Sequence, residues 1–398
     1  MTTDNSQQRS QQRSPLAGIR VLDFSQALAG PYVGRIMADL GADVVKVESP
    51  AGDMTRHWGR RQAGMAGYFL QWNLGKRGLC VDLGTDGGVE LVKQLASKAD
   101  VVVENFRPHV MEKFGLGYDA LREINPRLIM ASISGFGADS PEAGRGAFAP
   151  VVHAETGLIA RQAKASGGEF VDIESSVADT NTGLHTTVAI LSALLLRSAT
   201  GKGQYLDMAM IDAQIATDDI GIYDIEDSLP TRPLGNRVWP IKDGHVLISR
   251  DARALWRHLA PEFNLVDDTP KDADLAQKVN NRRRLMCEAL CSLPSKAAFV
   301  TLMDKLRIPW GDVRESSRLS ESAAISHRGI VTEITDPAGE TRPVLKMPYR
   351  FSAAKSEIRG FAPYLGEHNR QVCKDWLDMD DEDIHALHES GTLIQASR

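Results

Sequence analysis

Asp179 draws attention through its neighbours. Ser175-Ser176-Val177-Ala178 precede it and Thr180-Asn181-Thr182-Gly183 follow, a run of small or polar side chains ahead of a long apolar periodicity. An acidic residue at such a junction satisfies free backbone N–H groups and meets the positive end of a helix dipole, so capping by itself would account for it. A cap does not require open space around it, however. A carboxylate with that clearance can attack an activated acyl group. The stretch before it, Gly146-Ala147-Phe148-Ala149-Pro150-Val151-Val152-His153-Ala154-Glu155-Thr156-Gly157, offers His153 and Glu155 to an acid substrate. The plainer alternative is that a lone histidine beside an apolar run is a satisfied structural residue. Arg56, Arg60 and Arg61 form a cluster able to receive a carboxylate, or else a solvated face.

These groups need elements to hold them. Residues 19–24 read as a buried strand, Gly30-Pro31 opens a helix with Val33, Ile36, Met37 and Leu40 at helical spacing, and residues 43–48 form the next strand. The pattern repeats with a strand at 80–83, a helix burying Val89, Val92, Leu95 and Ala96, and strands at 101–103 and 128–134. Alternating strands and helices make an α/β fold with a Rossmann-like, mostly parallel sheet covered on both faces. The first strand is followed by Ser25-Gln26-Ala27-Leu28-Ala29-Gly30-Pro31 and not by GxGxxG, so a dinucleotide cofactor has no support. A long helix near Asp179 carries Leu184, Thr187, Val188, Leu191, Leu194 and Leu195 on one side and stops at Gly201 and Gly203, and residues 205–210 continue as a strand or the start of another helix.

The organisation expected is a disordered tail over residues 1–14, a large domain over 15–225, a smaller α+β domain over 226–325, and a C-terminal segment, 326–398. Pro230, Pro233 and Pro240 mark turns in the smaller domain. A hairpin at 239–249 turns at Lys242-Asp243-Gly244, and helices follow at 255–263 and 274–293. The C-terminal segment holds a strand pair within 329–344, turning at Pro337-Ala338-Gly339, and a helix at 380–388.

Composition narrows the function classes. Across 398 residues the net charge is −6, which leaves no general basic surface for nucleic acid, and Arg282-Arg283-Arg284 reads as a solvated helix face. Cys80, Cys287, Cys291 and Cys373 form no CxxC pair and read as free thiols of a reducing cytoplasm. The polar N-terminus lacks a signal peptide's apolar stretch, and the longest apolar run, at 189–196, is too short for a bilayer that needs about 20 residues. A cytoplasmic protein with no membrane span and no metal site is the expectation.

One block is specific. Ala178-Asp179-Thr180-Asn181-Thr182-Gly183-Leu184-His185, followed by Ala189-Ile190-Leu191-Ser192-Ala193-Leu194 and Thr200-Gly201-Lys202-Gly203-Gln204, resembles the active-site block of the class III CoA-transferases. Further matching blocks are Pro15-Leu16-Ala17-Gly18-Ile19-Arg20-Val21-Leu22-Asp23-Phe24, Leu40-Gly41-Ala42-Asp43-Val44-Val45-Lys46-Val47-Glu48, Val103-Glu104-Asn105-Phe106-Arg107-Pro108 and Leu365-Gly366-Glu367-His368. The resemblance implies an enzyme that moves CoA from an acyl-CoA to a carboxylic acid through an anhydride and a thioester on Asp179, with CoA as substrate and no tightly bound cofactor. It also implies that Lys76, Asn105, Phe106 and Lys113 contact CoA, and that the chain forms an interlocked homodimer. Many relatives use succinyl-CoA, which suggests a short dicarboxylate such as succinate, mesaconate, itaconate, malate or citramalate as partner acid. Leu28 stands where formyl-CoA transferases have glutamine, which disfavours an oxalate and formyl-CoA pairing. The same superfamily contains 2-methylacyl-CoA racemases that use a His and an Asp; the racemase histidine aligns with Phe148, which weighs against that alternative. A non-enzymatic CoA-binding scaffold would need Asp179 to be only a cap.

Overall fold

The computed structural model describes residues 14–228 and 237–395. Residues 1–13 of the expected tail, and the turns at Pro230 and Pro233, lie outside the described residues. The chain divides into two units, one running up to Gly221 and resuming at Gly329, the other spanning Ile222–Arg328.

The first unit is built on six parallel strands, β1 (Arg20–Asp23), β2 (Asp43–Glu48), β3 (Arg77–Cys80), β4 (Val101–Glu104), β5 (Ile129–Ser134) and β6 (Gln204–Ala209), in the order β3-β2-β1-β4-β5-β6. The α/β expectation therefore holds, and the order reverses between β1 and β4. In open sheets of this kind the ligand crevice lies at that switch point, beyond the carboxyl ends of the strands. Strand side chains alternate between two apolar layers. Val21, Val44, Val101 and Ile129 face helices α1 (Ala29–Asp39) and, later in the chain, Val177–Thr200. Leu22, Val45, Leu79, Val102 and Met130 face α2 (Asp86–Lys98) together with C-terminal residues such as Val372 and Trp376.

β3 begins and ends three residues earlier than its apolar pattern suggests. Its register with β2, Val45↔Arg77 through Glu48↔Cys80, stops where β2 stops, so Val81 keeps one bond from its N–H to the Glu48 carbonyl at 2.9 Å and an isolated bridge to Leu393. The C-terminal segment closes this edge of the sheet. His368 N–H donates to the Gly78 carbonyl at 2.9 Å, Cys80 N–H to Asn369 Oδ1 at 2.9 Å, and Ile394 N–H to the Cys80 carbonyl at 3.2 Å.

Helix α3 (Ala149–Glu155) precedes the long α4 (Val177–Thr200), which ends at Gly201 with a left-handed φ of 74°. The buried face of α4 runs through Ala178, Thr182, Gly183, Thr186, Ile190 and Ala193. Leu184, Val188 and Leu195, on the apolar side read from the sequence, are exposed, at 41%, 61% and 75%. Small residues win the inner face because α1 and α4 cross closely: a Cβ on Gly183 would stand 2.9 Å from the Ala29 carbonyl oxygen.

The second unit carries a three-stranded antiparallel sheet of β7 (Arg237–Ile241), β8 (Gly244–Ile248) and β9 (Trp310–Asp312), ordered β9-β8-β7. Helices Ala252–Phe263, Leu275–Cys291 and Lys296–Leu306 cover it with Leu255, Leu259, Met286, Leu290, Phe299 and Met303.

Candidate active site

At the switch point, β1 ends at Asp23 and the chain turns through residues 24–28 before α1 starts at Ala29. Ala27 takes a left-handed φ of 63°, a conformation that costs a non-glycine residue about 1 kcal/mol or more. Side chains hold the turn in place. Asn105, just beyond β4, accepts the Gln26 N–H at 2.7 Å and donates to the Gln26 carbonyl at 2.8 Å, stapling the ends of β1 and β4 together.

Asp179 is the third residue of α4, with Ser176 as its N-cap. The first N–H groups of a helix have no partner within it, and here several are turned on one carboxylate. Backbone N–H groups of Ala29, the first residue of α1, of Ala149, the first residue of α3, and of Asp179 itself lie near enough to the Asp179 side chain to favour its ionised form. Three helix N-termini thus meet at a carboxylate that is 8% exposed. Burial pushes its carboxyl up from 3.8 to about 6, against the opposing pull of those amides and of His153. At neutral pH the group is ionised yet more basic than a surface aspartate, which suits a nucleophile.

His153 supports this arrangement from below. Fully buried on α3, it donates from Nδ1 to Asp172 at 2.9 Å and accepts the Ala178 N–H at Nε2, 3.2 Å away. Tyr68 lies close enough that the Asp179 charge acts on it; burial first, then that charge, pushes its hydroxyl up to about 12.

A cavity of about 420 Å³ opens above Asp179, lined by Gln26, Ala27, Asn105, Phe106 and Phe148 among others. Its size is that of a small-molecule site. Arg107 and Arg145 stand on its wall. Arg145 is tied to Glu142 at 2.8 Å and to Glu155 at 2.5 Å, whereas Arg107 has no ion-pair partner among the described residues.

A family model for CoA-transferase family III matches residues 16–369. The chain belongs to that family. A succinyl-CoA:mesaconate CoA-transferase of Haloarcula hispanica is 35% identical over 90% of this chain and 95% of its own length. A succinate–glutarate CoA-transferase of Agrobacterium fabrum is 32% identical over 90% of this chain and 95% of its own. A CaiB/BaiF family protein of Brucella suis superposes with a TM-score of 0.78 at 31% identity, covering 92% of this chain and 100% of that one.

Against the residues singled out in the sequence, this family III transferase brings Asp179, Asn105 and Phe106 to the cavity. Lys76 is elsewhere: its side chain is wholly buried and its ammonium is held by Asp23 at 2.7 Å, the Asn73 side chain at 2.8 Å and the Pro31 carbonyl at 2.9 Å. Burial pushes that ammonium down to about 8. Lys113 is exposed and Leu28 is buried at the N-cap of α1; neither lines the cavity. Glu155 reaches the site only through Arg145, and Arg56 is engaged by Glu48 at 2.6 and 2.8 Å. Arg61 contacts His57 and, like Arg60, does not line the cavity. Sequence reasoning passed over Gln26, Tyr68, Arg107 and Arg145. Gln26 carried a signal, since it follows the first strand of a parallel sheet where ligands bind. Among the described residues no cluster of three or more metal-ligating side chains occurs, and no helix is long and apolar enough to cross a membrane.

Proposed function

We propose that this CoA-transferase takes CoA from succinyl-CoA and passes it to a short dicarboxylic acid, with Asp179 as nucleophile. The observation that carries the reading is the buried Asp179 carboxylate facing the cavity at the meeting of three helix N-termini. The names of the Haloarcula and Agrobacterium relatives favour succinyl-CoA and dicarboxylates.

The chemistry balances without a proton or an electron left over. Asp179 attacks the thioester carbonyl, the C–S bond breaks, and an acyl-aspartyl anhydride and CoA thiolate form. The thiolate attacks the Asp179 carbonyl carbon, releasing the first acid and leaving an aspartyl-CoA thioester. The acceptor carboxylate displaces CoA thiolate to give a second anhydride, and the thiolate then takes the acceptor acyl group and frees Asp179. Each addition at the Asp179 carbonyl develops an oxyanion, for which the Ala29 and Ala149 N–H groups are the donors at hand. Asn105 and Phe106 form the wall along which CoA lies, and Arg107, without an ion-pair partner among the described residues, receives the distal carboxylate of the dicarboxylate. His153 has both ring nitrogens engaged, which leaves it no α-proton to take and disfavours racemisation.

A homodimer belongs to the same reading, because Leu184, Val188 and Leu195 present an apolar stripe on α4 that pairing with a second chain would cover. Four free cysteines fit a reducing compartment such as the cytoplasm.

The test is to incubate the protein with succinyl-CoA and a panel of short mono- and dicarboxylic acids and to follow new acyl-CoA species by mass spectrometry, beside Asp179→Ala. New thioesters from dicarboxylates with the wild type alone are expected. Exchange undiminished in Asp179→Ala would remove the nucleophile, and transfer confined to monocarboxylates would remove the substrate class.

A further inference from the structure

Beneath the turn that carries Ala29 lie two ion pairs whose four side chains are 0% exposed, Lys76 with Asp23 at 2.7 Å and Lys46 with Asp53 at 2.9 Å. Burying charges in this way costs desolvation that apolar residues of equal volume would avoid, so stability alone is a poor reason for them. Beyond these pairs the four side chains bond to the backbone of the turn and the first residues of α1, as well as to Ser25, Thr55 and Asn73. Lys46 donates to the Ser25 carbonyl at 2.6 Å and Lys76 to the Pro31 carbonyl at 2.9 Å. Asp23 Oδ1 accepts the Ser25 N–H at 3.0 Å and also the Ser25 hydroxyl. Asp53 Oδ1 accepts the Ala27 N–H at 3.4 Å together with the N–H and hydroxyl of Thr55 at 2.9 and 2.8 Å. The fit leaves no slack, since a Cβ on Gly30 would stand 2.1 Å from Ser25 Cβ.

None of the four charged residues lines the cavity. We infer that Asp23–Lys76 and Lys46–Asp53 are positioning residues of the transferase site, holding the turn of residues 25–28 so that the Ala29 N–H stays aimed at the Asp179 carboxylate. The inference rests on the reading of Asp179 as nucleophile. If the turn relaxes, the ionised carboxylate loses a donor and the oxyanion loses the same one. Of the other ionisable groups around Asp179, His153 from α3 and Arg107 and Arg145 on the cavity wall keep their places in such a variant, while Tyr68 from the helix Gly67–Asn73 loses the small push of the Asp53 charge on its hydroxyl.

Asp53→Asn keeps the shape of the side chain and removes the charge opposite Lys46. Its kcat is expected to fall roughly tenfold or more, with the acid limb of kcat moving to higher pH and KM for succinyl-CoA changing less than about threefold. A purely structural residue would lower the melting temperature without moving the acid limb. A folded Asp53→Asn enzyme with wild-type kcat and an unmoved acid limb would overturn the inference. If Asp53→Asn does not fold, Thr55→Val, which removes only one donor to Asp53, carries the same prediction at smaller size: an acid limb moved to higher pH supports the inference and an unmoved one overturns it. Asp179→Asn run alongside separates the two readings. Full exchange in Asp179→Asn defeats the nucleophile itself, whereas a dead Asp179→Asn beside an unchanged Asp53→Asn defeats only the positioning role.

Discussion

Asp179→Asn is expected to abolish CoA transfer and, at neutral pH, to stabilise the fold. Burial holds the Asp179 carboxyl at about 6 where the ordinary value is 3.8. A carboxyl raised in the folded state costs stability at every pH above its folded value, and the cost disappears as pH falls through about 6 toward 3.8. At about 1.4 kcal/mol per pH unit the interval is worth about 3 kcal/mol at pH 7.5, roughly half that at pH 5, about 0.5 kcal/mol at pH 4 and close to nothing below about pH 3. Solvent screening takes little from this, because the side chain is only 8% exposed. Asparagine keeps an oxygen for the Ala29 and Ala149 N–H groups, so the amides are not orphaned. The assay is urea unfolding of both proteins at a series of pH values between 4 and 8, at one fixed protein concentration so that association does not shift the midpoints. A stability difference that is flat across that range, or an Asn variant less stable at pH 7.5, would refute the argument that desolvation dominates at this carboxylate.

Two other expectations are simpler to examine. Light scattering should give twice the chain mass of 43.5 kDa for the wild type and a smaller mass for Leu195→Glu, which places a charge on a residue 75% exposed; a monomeric, active wild type contradicts the dimer. Arg107→Ala should raise KM for a dicarboxylate acceptor by about 10- to 100-fold, the worth of a charge-assisted hydrogen bond, and leave a monocarboxylate of equal length nearly unaffected. Equal losses for both acids would move Arg107 from acid recognition to CoA binding.

The sheet and its nucleophile were legible for different reasons. Val and Ile runs bounded by turn residues marked four of the parallel strands, because a sheet covered on both faces writes continuous apolar stretches, while β6, with neither residue, stayed open between strand and helix. The same continuity misplaced β3, where Val81 and Leu83 extend the pattern past the last residue that β2 can pair. Asp179 was visible through the small residues around it, which exist to let α1 approach α4 and to leave the cavity open. The partners that tune it were not visible. Ala29 and Ala149 act through their backbones, and a backbone N–H has no sequence signature of its own. Lys76 was read as a CoA contact and Lys46 was not singled out, because lysines ordinarily face water or an anionic ligand. Yet Lys46 sits between Val45 and Val47 in a strand with no solvent face, and there a lysine has to find a carboxylate. The stripe of Leu184, Val188 and Leu195 showed the opposite confusion, since helical spacing marks an apolar face without saying whether the chain's own core or another surface receives it.

The sealing of β3 by the end of the chain has a consequence for how the protein is made. Cys80 and Asn369 are 289 positions apart, so on the ribosome, at about 5 to 20 residues per second, the strand edge waits roughly 15 to 60 s for its cover. During that interval the nascent sheet exposes unpaired N–H and C=O groups of the kind that recruit other strands. Translation speed and chaperone supply, more than the stability of the finished enzyme, should therefore set its soluble yield, and a truncation that removes residues 369–395 should shift the product toward aggregates while leaving every active-site residue in the chain.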